Sequence, residues 1–416
     1  FLYSTIPLND FLFYFKRTNN RLQFVVRNVS FRTSPGDPQS RSIERSFSDS
    51  ILASVPIISI HPQRQSFLID LEDLLLEDLP DLESKLGDSL NAKYSIDPEK
   101  SNFGAANVFP LNLEVDYNYG VSLLIEMGDN SYLQNLPDRR ALNIRVHYSF
   151  SELTVNNGYV PRFADERVGY FTTVYQNFSN SDSKSPLVRY INRWHLEKQD
   201  PNAPLSIPKK PIVFWIENTV PLEYREAIRE GILMWNKAFE KAGFKNAIEV
   251  QQMPDNATWS PADVRYNTIR WFASTESGLV ALGPSRVNPL TGEILDADIL
   301  INANIIHTLG QEYRTYINQK SSTSNKSNRD RICQPLPRHR FSYKVDYCYG
   351  KLIGQQFAIG SLALSLFQNT IPNNIDMKEY VHQYLRHVIS HEVGHTLGLR
   401  HNFRGSTLLK PEELQD

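Results

Sequence analysis

Three histidines and one glutamate near the C-terminal end have the spacing of a metal site. The stretch reads His391-Glu392-Val393-Gly394-His395-Thr396-Leu397-Gly398-Leu399-Arg400-His401. Residues four apart on a helix project from one face, so His391 and His395 can hold one ion together. Gly398 tolerates positive φ and can end the helix, which lets His401 return as a third ligand. Three protein ligands leave a position for water, so the pattern predicts one catalytic Zn²⁺ ion.

Glu392 follows the first ligand and lies one step round the helix from it. It can lean over the open coordination position without being a ligand. Bound zinc lowers the pKa of its water to about 7, and a nearby carboxylate can take the proton. We therefore expect a zinc-dependent endopeptidase in which Glu392 is the general base and passes the proton to the leaving amine.

Two other interpretations remain open. The chain could be a protein-binding module with a vestigial zinc site, although such a site has no reason to keep Glu392. It could also hold a structural zinc ion, which requires a fourth protein ligand that the nearby spacing does not offer. We interpret four histidines outside the motif as structural; they are His61, His339, His382 and His387.

Composition indicates an ordinary globular protein. The 416 residues are 41% hydrophobic and 22% charged, and the formal net charge of -2 gives no indication of a nucleic-acid partner. No apolar run approaches the roughly 18 residues of a membrane span. The two cysteines, Cys333 and Cys348, could form a local disulfide or remain as free thiols. Nothing in the composition indicates an oligomeric state.

The chain divides at a proline-rich connector near residue 205. Residues 1–205 form a β-rich N-terminal region, with short helices predicted at 71–86 and 189–199. Residues 206–416 form a domain of strands and long helices, which makes the protein mixed α+β. The predicted strands there are 212–216, 247–251, 266–272 and 293–301, and the predicted helices are 222–242, 352–367 and 377–399.

Several stretches resemble the metzincin clan of zinc endopeptidases, and more closely the enterotoxin-A-like Met-zincin group of bacterial zinc-dependent metalloproteases. The extended histidine motif is itself the metzincin signature. The resemblance covers about residues 140 to 416 and is carried by 165–171, 235–244, 283–286 with 291–294, and 391–406.

The resemblance implies a twisted mixed sheet with long helices, a protein or peptide substrate, and an extracytoplasmic location, periplasmic or secreted, although this chain shows no leader. It implies an edge strand that pairs with the substrate. Our candidates for that strand are Glu293, Ile294, Leu295, Asp296, Ala297 and Asp298.

The resemblance also implies a methionine turn after the third histidine. All four methionines precede His401, so we expect the protease domain to be truncated before that turn. The N-terminal region would be a pro-segment or a docking module. It contains no cysteine, so latency through a cysteine switch is not expected.

Overall fold

The computed structural model describes residues 8–126, 137–154, 157–179, 185–273, 281–312 and 377–402. Cys333, Cys348, the predicted helix at 352–367 and all residues after 402 lie outside the described residues. The described part contains both helices and strands and is mixed α+β, as predicted. No helix within it is long and apolar enough to span a membrane.

Strands make up most of the regular structure. The strands are β1 (Phe13–Thr18), β2 (Arg21–Val26), β3 (Phe31–Arg32), β4 (Ser50–Pro56), β5 (Ser59–Ile60), β6 (Phe67–Leu68), β7 (Ala92–Val108), β8 (Asn112–Glu126), β9 (Ala141–Ser151), β10 (Thr172–Asn177), β11 (Leu187–Ile191), β12 (Arg193–Trp194), β13 (Ile212–Ile216), β14 (Ile248–Gln252), β15 (Asn267–Phe272), β16 (Ala281–Leu282), β17 (Ser285–Val287), β18 (Glu293–Ala297) and β19 (Ile299–Asn302). The helices are α1 (Ser40–Ser46), α2 (Leu71–Leu75), α3 (Leu82–Leu90), α4 (Leu222–Leu233), α5 (Asn236–Lys241), α6 (Asn304–Glu312) and α7 (Met377–Thr396).

The chain forms two compact units. The first contains residues 1–157 and 174–189, and the second contains residues 158–173 and 190–416. The division predicted near residue 205 therefore falls inside the second unit. The second unit begins upstream of the proline-rich connector because β12 pairs in parallel with β18 and so joins these upstream residues to it.

The first unit is built on antiparallel sheets in the orders β1-β2-β4 and β7-β8-β9. The long strand β8 alternates in the period-2 sense, so Val115, Tyr117, Tyr119 and Val121 all point into one core. The tyrosine hydroxyls there are satisfied: Tyr119, for example, donates to the carbonyl of Leu75 at 2.7 Å. This region is β-rich as the sequence predicts.

The second unit is organised around a five-stranded sheet in the order β14-β13-β15-β19-β16. Four of these strands run parallel, and β16 is antiparallel to β19 at the edge. Strand β13 is buried on alternate residues, at Ile212, Phe214 and Ile216, which face the core shared with the helices.

Helix α7 packs on this core beside α4 and β16. Its apolar stripe contains Val381, Leu385 and Val388, which recur at helical spacing and are all buried. Burying each such side chain contributes about 2 kcal/mol. The helix that carries the histidine motif is therefore fixed by its first three turns.

The predicted helix at 222–242 is two helices. Asn236 begins the second one, and its side-chain amide bonds both backbone groups of Ile248 at 2.9 Å, which ties this helix to β14. The helix predicted at 189–199 is wrong. That stretch contains the end of β11 and the strand β12, and Trp194 is extended so that its indole reaches α7.

The substrate-edge role of Glu293, Ile294, Leu295, Asp296, Ala297 and Asp298 stays a prediction. Strand β18 lies in the middle of a separate sheet, β12-β18-β17, where β17 pairs along it and β12 pairs with it at Glu293 and Ile294. The chain then passes through Asp298 into β19 of the large sheet. Pairing with β12 leaves less of the backbone of this strand open to a substrate.

Asp298 generates a prediction about pH. Its Oδ1 accepts from the amide of Thr268 at 2.8 Å and from the Thr268 hydroxyl at 2.7 Å. Burial nevertheless raises the pKa of Asp298 to about 6. Because the raised pKa belongs to the folded state and an unfolded Asp titrates near about 3.9, stability should fall as pH rises from about 4 to about 6.

Asp298→Asn keeps an oxygen acceptor and removes the charge. It should abolish that slope and raise the free energy of unfolding at pH 7 by on the order of 2 kcal/mol. All five tryptophans belong to the second unit, so tryptophan fluorescence in urea titrations reports on it alone. The exposed Asp255→Asn is the control. If Asp298→Asn keeps the wild-type dependence of the free energy of unfolding on pH, Asp298 is not the cause of that dependence.

Candidate metal centre

Helix α7 presents the first two histidines on one face. His391 and His395 are one turn apart, and their ring centroids lie 4.6 Å from each other with the planes nearly perpendicular. The helix ends immediately afterwards at Thr396. Both histidines thus lie near the end of a helix whose earlier turns are buried.

The chain reverses at Gly398, which has φ of +93°. The amide of Leu399 donates to the carbonyl of Gly394 at 3.0 Å, and the amide of Gly398 donates to that of His395 at 2.9 Å. These bonds satisfy helix carbonyls that would otherwise lack partners. A Cβ at position 398 would overlap the carbonyl oxygen of Asn192, so both the backbone angle and the space require glycine.

The turn returns His401 to the two helical histidines. Its Nε2 lies 3.0 Å from Nε2 of His391 and 3.1 Å from Nε2 of His395. Nitrogens bound to one tetrahedral zinc ion at the usual bond length lie about 3.4 Å apart. The three ring nitrogens therefore already converge at nearly the spacing that one ion imposes.

The tautomer of His395 leaves its Nε2 with a lone pair that faces the nitrogen of His401. The Nδ1–H of His395 donates to the carbonyl of Leu399 at 2.8 Å, which leaves its Nε2 unprotonated. Burial lowers the pKa of His391 to about 3 and also lowers the pKa of His395, so both are neutral. A proton on Nε2 of His401 could serve only one of its two neighbours, whereas a cation would satisfy all three.

The donor set fits a metal ion with an open position. Across the part of the chain that the structure describes, these three histidines are the one group of ligand-type side chains close enough to share an ion. Neutral imidazoles suit zinc, and three protein ligands leave the fourth position for another molecule.

Residues 373–416 match the family model described as Met-zincin. This match supports a metzincin-type domain at the C-terminal end and agrees with the histidine geometry. Residues 7–199 match the model described as Domain of unknown function (DUF5117). The search of curated proteins returned no match, and the search of solved structures returned none.

Glu392 lies under the edge of the large sheet. It is 9% exposed, and burial raises the pKa of its carboxyl to about 7, while a hydrogen bond from the amide of Gly283 acts in the opposite direction. Gly283 directly follows β16. The backbone next to the edge strand thus fixes the carboxyl that follows the first histidine.

Two tryptophans hold the helix where the motif lies, and sequence reasoning did not identify them. The indole of Trp235 donates to the carbonyl of Ser390, and that of Trp194 donates to the carbonyl of Thr396, each at 2.8 Å. A Cβ on Gly394 would lie 2.9 Å from the Trp235 ring. A glycine inside a helix is a signal of such close packing, and Gly394 could have suggested it.

Gly398 generates a prediction about metal affinity. Gly398→Ala should weaken zinc binding at least about tenfold, because displacing the turn moves His401 away from the other ligands. Competition with a chromophoric chelator measures the affinity. Gly36→Ala in the first unit is the matched control, since Gly36 also has a positive φ, +82°, and a Cβ there would meet nothing within 4 Å. If Gly398→Ala and wild type bind zinc with equal affinity, the turn at Gly398 does not place His401 as a metal ligand.

Proposed function

We propose that this chain carries a zinc-dependent endopeptidase of the metzincin type. The observation that carries the proposal is the convergence of three imidazole nitrogens beside one buried carboxyl. The Met-zincin match over residues 373–416 supports it. A bound zinc ion would supply Lewis acidity at the scissile carbonyl and make water a better nucleophile at neutral pH.

The proposed roles follow from position. His391, His395 and His401 hold the ion. Glu392 accepts the proton of the attacking water and delivers it to the leaving amine, for which a pKa near neutral is suitable. The carbonyl of Leu399 keeps His395 in the tautomer that offers Nε2.

We assign the substrate edge to β16 in place of β18. Within the described residues, β16 pairs on one side with β19 and lies at the end of the sheet. The amide of Gly283, which follows it, contacts the carboxyl of Glu392. A peptide that added to this edge as an extra strand would therefore pass close to the proposed base.

The finer classification stays a proposal. The enterotoxin-A-like group, an extracytoplasmic location, and a pro-segment or docking role for the first unit are supported by the resemblance of the stretches 165–171, 235–244, 283–286 with 291–294, and 391–406. Fractionation of the producing cells tests the location, and recovery from the cytoplasm alone would exclude it.

Glu392→Gln tests the enzymatic function directly. The variant should bind zinc as wild type does but hydrolyse casein or a quenched peptide about 10² to 10⁴ times more slowly, because proton transfer is lost. Glu379→Gln is the control, since it makes the same change at an exposed position of the same helix.

The outcomes separate the competing functions. Wild type that binds zinc but cleaves nothing would favour a protein-binding module with a structural or vestigial site. A glutamine variant at position 392 that cleaves as fast as wild type would remove Glu392 from the mechanism.

The edge-strand assignment predicts protection on ligand binding. A peptide hydroxamate should slow hydrogen exchange at whichever amide of Ala281 and Leu282 faces away from β19, because backbone pairing on the free edge of β16 would protect it. Protection of the amides of β18 instead would favour the edge predicted at 293–298. Unchanged exchange at β16 with the inhibitor bound would contradict the assignment.

A further inference from the structure

A short extended segment far upstream in the sequence lies against the metal turn. Gly169, Tyr170 and Phe171 belong to the same unit as the histidine motif, although they precede it by more than two hundred residues. They fall within the part of the chain that matches the domain of unknown function, not within the Met-zincin match.

The segment pairs antiparallel with the chain between the second and third histidines. Tyr170 lies opposite Leu399. The amide of Phe171 donates to the carbonyl of Gly398 at 2.8 Å, and the amide of Arg400 donates to the carbonyl of Gly169 at 3.0 Å. Two backbone bonds thus enclose Leu399, which lies two residues before His401.

The segment is itself anchored within the unit. The carbonyl of Phe171 accepts from the amide of Asn192 at 2.8 Å, and the carbonyl of Asn192 lies against Gly398. The ring of Phe171 lies 5.8 Å from the ring of His395. Backbone contacts from Phe171 and Asn192 therefore meet at the one residue where the chain reverses.

Leu399 links this pairing to the ligands. Its carbonyl accepts the Nδ1–H of His395, so the position of Leu399 affects the orientation of the second ligand as well as the path to the third. Groups that hydrogen-bond to metal ligands and orient them typically change metal affinity by about 10- to 100-fold when they are lost. A displacement of the upstream segment would be transmitted to two ligands at once.

We propose that Gly169–Phe171 is a positioning element of the metal site: its pairing with Gly398–Arg400 sets the position of His401 and the orientation of His395. The proposal rests on the proposed function, because it assumes that the three histidines bind an ion. It assigns a role to the stretch 165–171, in which Asp165 and Arg167 form only an exposed ion pair. The upstream family match therefore contributes backbone to the metal centre.

Proline scanning tests the pairing. Phe171→Pro removes the amide that donates to Gly398 and should weaken zinc binding at least about tenfold, as measured by chelator competition. Asp255→Pro is the control, because Asp255 is the exposed second residue of the turn that the amide of Ala257 closes on the carbonyl of Pro254, a position that accepts proline. The visible spectrum of the cobalt-substituted protein should change for Phe171→Pro, since it reports ligand geometry and not general stability.

A measurement on the wild-type chain covers the case in which the proline variant fails to fold. Coupling is reciprocal, so if the segment positions the ligands, bound zinc must stabilise the segment. Adding zinc should slow hydrogen exchange at the amides of Phe171 and Arg400 at least about tenfold. Exchange at the amides of β1 in the first unit should not change.

The results distinguish this inference from the proposed function. Wild type that binds no zinc overturns both. Zinc that binds tightly, with exchange at Phe171 and Arg400 unchanged or with equal affinity and cobalt spectra for Phe171→Pro and Asp255→Pro, overturns the positioning role and leaves the zinc site intact. Selective weakening in Phe171→Pro, or selective protection of the two amides, supports it.

Discussion

The Nε2 of His401 lies 3.0 Å from that of His391 and 3.1 Å from that of His395, and the second unit holds the three nitrogens together. Lone pairs that face each other repel, and burial prevents water from solvating these nitrogens fully. A cation between the nitrogens would stabilise the arrangement. Without an ion, the surrounding structure must hold His401 against its two neighbours, which makes the rigidity of the support part of the chemistry.

The support comes from all parts of the unit. Buried side chains fix the early turns of α7, two indoles donate to carbonyls on either side of the two helical histidines, and the amide after β16 contacts the carboxyl of Glu392. The reversal at Gly398 is held by Asn192 and Phe171. Each contact comes from a different segment, so the ligand positions depend on the tertiary fold and not on the helix alone.

The sequence alone predicts those features of the site that depend on a single helix or turn. The spacing of His391, Glu392 and His395 is a property of one helix, and the need for glycine at 398 is a property of one turn, so both could be inferred without a structure. The stretch 293–301 shows the limit, because it has the pattern of one strand. The amide of Asp298 instead donates to the carbonyl of Pro284, and the chain changes sheets there. Sheet order depends on distant pairing, which period-2 patterns do not encode. The same holds for Phe171, whose importance lies entirely in a partner 227 residues away.

Zinc K-edge X-ray absorption on the full chain tests the central claim most directly. The account predicts one zinc ion per chain, bound by three imidazole nitrogens at about 2.0 Å with at least one oxygen ligand that is not from the protein. That coordination would show a site with a position open to water and substrate. A fourth protein ligand, such as a cysteine sulfur at about 2.3 Å, or no bound zinc, would contradict it.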